Sequence, residues 1–138
     1  MICAVVDTNI LVSALLSKNE SAATVQVVAN MLSGRITPVY SKEMLSEYKE
    51  VLSRKKFCFS AETVSYLLNS IEKFGILVFP SRTGIILPDM KDLPFYEVVM
   101  EKRSDNAYLV TGNQKHFPKE TYIVTAREMI DILNGNNS

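Results

Sequence analysis

The sequence predicts a layered α/β protein with a parallel sheet of about five strands. Short apolar runs bounded by Gly, Pro, Ser or Asn alternate with longer segments of helical periodicity. Strands that alternate with helices pair in parallel, because each helix returns the chain to the same end of the sheet. The first apolar run ends directly in Asp7, and open α/β sheets present acids to a ligand or metal in this way.

The five predicted strands are taken in chain order. The first, residues 2–6, consists of small and β-branched residues, as is typical of a buried strand. The other four are short apolar runs with turn residues at their borders, at 36–40, 76–79, 107–111 and 122–124.

Five helices are predicted from apolar residues at helical spacing, over 21–33, 42–54, 61–74, 93–102 and 126–134. Ser41 and Thr125 stand where an N-cap residue is expected. Gly34 and Gly75 follow helices, where a left-handed residue costs little only if it is glycine. The stretch from Pro80 to Pro94 is expected to be irregular.

Length and composition limit the class of protein. The 138 residues are expected to form one domain, 1–138, with a frayed tail over about 134–138. No apolar run approaches the ~20 residues of a membrane span, so no membrane contact is expected. The two cysteines lack CxxC spacing and the N-terminus lacks signal-peptide features, which favours a cytoplasmic protein. Because the net charge is zero, a polyanion site requires a local basic patch or a metal.

Several acids are candidates to join Asp7. Glu43, Glu47 and Glu50 follow one stripe of the second predicted helix, and the alternative reading is an ordinary solvated face. Glu47 differs because Leu45, Tyr48 and Leu52 flank it, which predicts a position at the edge of the buried face. Asp92 precedes a helix with Pro94 in its first turn, so N-capping is its competing role.

The segment after the fourth predicted strand supplies the last candidates. Thr111, Gly112 and Asn113 are expected at the same sheet edge as Asp7, if the two strands are parallel neighbours. Asp105 precedes that strand and is expected at the opposite end. Asp89 is interpreted as a turn residue, and His116, the single histidine, as a packing or hydrogen-bonding residue rather than a zinc ligand.

Three carboxylates brought together would require neutralisation. Two such groups about 4 Å apart repel by roughly 4 kcal/mol at an effective dielectric of 20. Oxygen ligands favour Mg²⁺ or Mn²⁺, and a bound divalent ion beside an RNA phosphate supports phosphodiester hydrolysis by activating water.

Four segments resemble the PIN domain, in the branch of toxin components of bacterial toxin–antitoxin systems. They are VVDTNILVSALL (5–16), SKEMLSEYKEVLSRKKF (41–57), DMKDLPFYE (89–97) and LVTGNQKHFP (109–118). The resemblance covers residues 2 to about 133. It implies a three-layer α/β/α fold, an Mg²⁺- or Mn²⁺-dependent endoribonuclease, and inhibition by a cognate antitoxin protein.

The resemblance also assigns residues. Asp7, Glu47 and Asp92 match the first three acids of the family, as catalytic residues and metal ligands, and Asn9 matches the polar neighbour that orients the first. The fourth acid commonly follows Thr-Gly, and Asn113 stands there instead, after Thr111 and Gly112. Three consequences remain open: weak binding of a single ion, an acid supplied from elsewhere, or loss of activity.

RNA contact is expected from basic residues near these motifs. Arg54, Lys55 and Lys56 end the Glu47 helix, where the helix dipole also favours cations, so a solvated helix end is the alternative. Lys115 lies just past Asn113 and is a candidate phosphate contact. A homodimer is plausible for a toxin of this type.

Two other functions compete with the ribonuclease. One is a catalytically weak PIN-like module that binds RNA or an antitoxin. The other is phosphoryl transfer with Asp7 as the acceptor, but the haloacid-dehalogenase pattern requires a second Asp where this chain has Asn9.

Overall fold

The computed structural model describes residues 1–135, and its centre is one parallel sheet. The strands are β1 (Ile2–Val6), β2 (Ile36–Tyr40), β3 (Ile76–Leu77), β4 (Tyr108–Val110) and β5 (Ile123–Val124). They lie in the order β3-β2-β1-β4-β5, and every neighbouring pair is parallel. The predicted five-stranded parallel sheet is therefore confirmed, although β3 ends two residues earlier than expected.

Six α-helices cover the sheet. They are α1 (Thr8–Leu16), α2 (Ala23–Leu32), α3 (Lys42–Leu52), α4 (Ala61–Phe74), α5 (Leu93–Glu101) and α6 (Ala126–Leu133). Helix α5 packs on β1, β2 and β4, while α2 packs on β2 and contacts α1 and α6. The result is the three-layer α/β/α arrangement predicted from the sequence.

Helix α1 is the element that the periodicity did not predict. Its sequence, TNILVSALL, has six apolar residues in nine positions, so its amphipathic pattern is weak. The helix is nine residues long and packs against α2 and α3. Contacts from neighbouring helices, rather than an amphipathic pattern, account for its formation.

Local signals at the helix ends are mostly confirmed. The Ser41 hydroxyl accepts a hydrogen bond from the Met44 N–H at 3.2 Å, and Thr125 forms a capping box at the start of α6. Gly34 is left-handed, with φ of +86°. The expectation for Gly75 is wrong, since its φ of −90° and ψ of 178° are extended.

The need for glycine at position 75 comes from a close approach of backbones. A Cβ on Gly75 would lie 2.4 Å from the Ile71 carbonyl oxygen and 2.7 Å from that of Pro38. Glycine is therefore required where the end of α4 meets β2, and its left-handed freedom is not used.

The strand order reverses between β1 and β4. From β1 the chain moves outward to β2 and β3, then crosses to β4 on the other side of β1. Val6 pairs with Val110, and the Asp7 N–H donates to the Val110 carbonyl oxygen at 2.9 Å. Asp7 and Thr111 thus leave the same sheet edge at a topological switch point, where ligands of open α/β sheets bind.

The chain beyond α6 is described only in part. The Asn134 N–H donates to the Ile130 carbonyl oxygen at 3.0 Å, and Gly135 donates to Ile132 at 3.1 Å. The rest of the predicted frayed tail, residues 136–138, lies outside the described residues. Among residues 1–135, no helix combines the length and apolar character needed to cross a bilayer.

Candidate active site

A cleft of about 700 Å³ opens at the switch point and contains all three predicted acids. Asp7 reaches it from the end of β1, Glu47 from the middle of α3 and Asp92 from the residue before α5. The folded chain therefore brings together three carboxylates that lie about 40 residues apart in sequence. The other lining residues are Thr8, Asn9, Val12, Ser13, Leu16, Ser17, Val51, Arg54, Phe57, Asp89 and Lys91.

Asp7 is buried and held by two side chains. The Thr111 hydroxyl donates to Asp7 Oδ2 at 2.7 Å, and the Asn9 amide donates to the same oxygen at 3.4 Å. The Asn9 Oδ1 atom in turn accepts from the Gly112 N–H at 3.3 Å, which ties α1 to the segment after β4. These contacts hold one oxygen of Asp7 in place and bring Thr111 to the same sheet edge as Asp7.

Burial controls the acidity of Asp7. The side chain is 5% exposed, and this desolvation raises the pKa of Asp7 to about 6. The Thr111 hydrogen bond opposes the rise, while the negative charges of Asp92 and Glu47 add to it. The carboxylate is therefore costly to keep ionised unless a positive charge enters the cleft.

Glu47 is fixed through Thr8, which the sequence did not single out, and through the adjacent Tyr48, which was predicted to flank it. The Thr8 hydroxyl donates to Glu47 Oε2 at 2.5 Å, and the fully buried Tyr48 hydroxyl donates to the Val6 carbonyl oxygen. Desolvation raises the pKa of Glu47, and the charge of Asp92 contributes to the same shift. The sequence feature that could have indicated a role for Thr8 is its position between Asp7 and Asn9. It is the first residue of α1, the helix that was not predicted.

Asp92 occupies the N-cap position of α5, but its side chain makes no capping hydrogen bond. Pro94 lies in the first turn as predicted. The Asp92 Oδ2 atom lies 3.1 Å from His116 Nδ1 instead. Desolvation raises the pKa of Asp92, the His116 hydrogen bond opposes this, and the charge of Asp89 adds to it.

The three acids share the cleft without meeting at one point. Among residues 1–135, the one group of His, Cys, Asp and Glu with ligand atoms all within 4.8 Å of one another is Asp89, Asp92 and His116. Atoms that bind one Mg²⁺ at about 2.1 Å lie within about 4.2 Å of each other. Asp7, Glu47 and Asp92 would therefore hold a common ion after side-chain rotation, or partly through water.

Asn113 does not line the cleft. Its side chain is exposed, and its backbone N–H donates to the Thr111 hydroxyl at 3.0 Å. Its contribution is thus to the turn that holds Thr111 beside Asp7.

The predicted basic residues separate into two groups. Arg54 lines the acid cleft, where it also pairs with Glu50 at 2.9 Å on the exposed surface of α3. Lys55 and Lys56 are exposed and do not line it, and Lys115 lines a separate cleft of about 300 Å³. Lys91, which was not predicted as a site residue, supplies a second positive charge to the acid cleft.

A second groove adjoins the first. It has a volume of about 890 Å³ and shares Glu47, Val51, Arg54 and Lys91 with the acid cleft. Its far side is formed by the irregular segment before α5, including Arg82, Ile85 and Ile86. Together the two form an extended depression along α3.

Comparison with known families gives one match. A family model described as PIN domain matches residues 3–115, a span that includes all three acids, Thr111 and Asn113. Neither the curated proteins nor the solved structures gave a match.

Proposed function

Because the chain belongs to the PIN domain family, we propose that it is an endoribonuclease that hydrolyses RNA phosphodiester bonds with bound Mg²⁺ or Mn²⁺. PIN domains are a nuclease-type family and generally use divalent metals. The observation that carries the proposal is the presence of Asp7, Glu47 and Asp92 in one cleft at the switch point of the sheet.

The side chains in the cleft fit a hard divalent cation. All three candidate ligands offer carboxylate oxygens, which Mg²⁺ and Mn²⁺ prefer. The raised pKa values of Asp7, Glu47 and Asp92 reflect negative charge that is desolvated and crowded. When bound, the ion supplies a water of lowered pKa and stabilises charge on the phosphoryl oxygens.

The protein's own residues orient these groups and attract the substrate. Thr111 and Asn9 hold one oxygen of Asp7, and the Thr8 hydroxyl holds one oxygen of Glu47. Arg54 and Lys91 offer positive charge to the phosphates of a bound strand. The adjoining groove along α3 gives an extended single strand room on either side of the acids.

A nuclease assay on defined RNAs tests the proposal. With Mn²⁺ present, Asp7→Asn and Asp92→Asn are each expected to lower the cleavage rate at least 100-fold, because each removes a charge that holds the ion. EDTA is expected to abolish wild-type cleavage. The readout is the initial rate with tag-free, purified protein.

Asp105→Asn is the matched control for that assay. Asp105 is an exposed acid in the turn before β4, at the other end of the sheet, where it pairs with Lys102 at 3.0 Å. Surface pairs of this kind contribute little to stability, so this variant is expected to cleave at the wild-type rate. Wild-type cleavage by Asp7→Asn would show that Asp7 is not part of the catalytic site.

The proposal extends to the role of a toxin, with a cognate antitoxin protein as partner. This role is typical of PIN families. Induced expression in a bacterial host without the antitoxin is expected to arrest growth, and Asp7→Asn is expected to relieve the arrest at equal protein level. Arrest that persists in Asp7→Asn would separate toxicity from the acid cleft.

A catalytically weak module that binds RNA or an antitoxin is the second candidate. The amide at Asn113 and the separation of the three carboxylates favour it. Metal binding distinguishes the two candidates, since the module does not need an ion at Asp7.

A homodimer is also proposed, and sedimentation velocity would measure the oligomeric state.

A further inference from the structure

His116 lies against the acid cleft, although the sequence reading gave it no functional role. Its Nδ1 atom is 3.1 Å from Asp92 Oδ2, and the His116 and Asp92 side chains are 32% and 16% exposed. One ligand atom each from Asp89, Asp92 and His116 lies within 4.8 Å of the other two. No other group within residues 1–135 meets this criterion.

The distances suit a single cation with small adjustments. Carboxylate oxygens and imidazole nitrogens bind Zn²⁺ at about 2.0 to 2.2 Å, so ligand atoms on one ion lie within about 4.4 Å of each other. The group therefore needs shifts of less than about 1 Å. Asp89 is exposed and belongs to the irregular segment before α5, so a small shift of its side chain disturbs no buried packing.

The backbone around these residues leaves their ligand atoms available. Asp89 uses Oδ1 to accept from the Lys91 N–H at 3.0 Å, and within residues 1–135 its Oδ2 accepts no hydrogen bond. Asp92 stands at the N-cap of α5 without capping it, so its carboxylate is not used by the helix. His116 ends a 3-10 turn, Gln114–His116. The His116 backbone N–H donates to the Asn113 carbonyl oxygen at 2.9 Å.

We propose that Asp89, Asp92 and His116 form a nitrogen-containing cation site that shares Asp92 with the Asp7 and Glu47 cleft. The proposal rests on the proposed function only through Asp92, which belongs to both groups. In this proposal His116 is a metal ligand. It lies in the turn after Asn113, the position where the family commonly has its fourth acid. An imidazole nitrogen favours Zn²⁺ over Mg²⁺ or Mn²⁺, so the site is expected to select Zn²⁺.

The single histidine makes a direct experiment available. Since His116 is the only histidine, the imidazole ¹⁵N resonances of the tag-free protein are assigned without ambiguity. Zn²⁺ alone is titrated at pH 7.5 in the absence of RNA, and Mg²⁺ is titrated in parallel. The background is Cys58→Ser, because Cys58 is an exposed free thiol that would bind Zn²⁺ itself.

Zn²⁺ is expected to move the Nδ1 resonance to a metal-bound position, while an equal concentration of Mg²⁺ leaves it in place. Asp89→Asn and His116→Gln are each expected to weaken Zn²⁺ binding about 10-fold or more by calorimetry. Asp105→Asn, also an exposed acid in a 3-10 turn, is the matched control and is expected to bind Zn²⁺ as the wild type does.

Two results would overturn the proposal. One is an Nδ1 resonance unchanged by saturating Zn²⁺, which would reduce the contact to an ordinary His–Asp hydrogen bond. The other is a wild-type Zn²⁺ response in Asp89→Asn. Neither depends on cleavage, so failure of this site and failure of the nuclease assay are distinguishable.

Discussion

At the scale of the residue, Asp7 is the centre of the proposed active site. It is a nearly buried acid whose one oxygen receives hydrogen bonds from Thr111 and Asn9, while Asp92 and Glu47 add negative charge nearby. With a pKa of about 6, this carboxylate is ionised at pH 7, but desolvation makes its ionised form costlier than that of an exposed acid. A bound cation would stabilise the ionised form and so lower the free-energy cost of ionising Asp7.

The pH dependence of folding measures this cost. The pKa of Asp7 is about 6 in the folded protein and 3.8 is its ordinary value, so protonation stabilises the fold. That contribution is complete below about pH 4 and is lost as the pH rises through 6. From pH 7 to pH 5, without metal, Asp7 is expected to add about 1 kcal/mol to the free energy of unfolding.

Urea unfolding in EDTA at the two pH values tests this expectation. Asp7→Asn should lack that part of the pH dependence and be more stable than the wild type at pH 7, because it removes the buried charge. Asp105→Asn serves as the control and should follow the wild type. An unaltered pH dependence in Asp7→Asn would show that another group is responsible.

At the scale of the element, α3 positions the second acid. The helix begins at a buried Ser41 cap, and the Tyr48 hydroxyl anchors it to the Val6 carbonyl oxygen at the end of β1. This anchor places Glu47 beside Thr8, the first residue of α1. The acid on α3 and the acid after β1 are thereby linked through the end of β1 and the start of α1.

Gly75 sets the position of α4 on the sheet and is the element-scale test. In Gly75→Ala the new Cβ would lie 2.4 Å and 2.7 Å from two backbone oxygens, which have little freedom to move. We expect a loss of about 3 kcal/mol in the free energy of unfolding. Chemical denaturation measures it.

Gly112→Ala is the matched control for this variant. Its Cβ would meet Asn9 Oδ1 at 3.6 Å, an ordinary contact, so the change in stability is expected to stay within about 1 kcal/mol. Equal stabilities for the two variants would show that the approach of α4 to β2 adapts to a side chain.

At the scale of the whole molecule, neutrality distinguishes this protein from nucleic-acid-binding proteins that rely on charge. With 15 basic and 15 acidic residues, the chain has no overall field to attract RNA. In the proposed function, the local charges of Arg54 and Lys91 and a bound ion supply that attraction. The metal is thus expected to matter for substrate binding as well as for cleavage.

Thermal unfolding with and without Mn²⁺ tests whether the folded protein holds an ion at the cleft. At pH 7.5 the Tm is expected to rise with Mn²⁺ concentration, since a ligand at 100 times its Kd adds about 2.7 kcal/mol to stability. Asp7→Asn should lose most of this rise, and Asp105→Asn should keep it. A millimolar Mn²⁺ series that leaves the Tm unchanged would favour the binding module over the enzyme.

Much of the architecture follows from local patterns. The turn-bounded apolar runs predicted the five strands, and the helical spacing predicted five of the six helices, with the Ser41 and Thr125 caps at their starts. Each of these features depends on residues that are close together in the chain, so each can be predicted from a short stretch of sequence. Helix α1 was not predicted because its amphipathic pattern over nine residues is weak.

The candidate acids were recognisable in sequence, but their environment was not. Motif resemblance singled out Asp7, Glu47 and Asp92, whereas the contact of Thr8 with Glu47 spans 39 residues and that of His116 with Asp92 spans 24. Such contacts arise when the strand order reverses between β1 and β4 and brings distant loops to one edge. Residue types and local periods are properties of the chain, whereas burial, pKa and shared ligand geometry arise only from its packing in three dimensions.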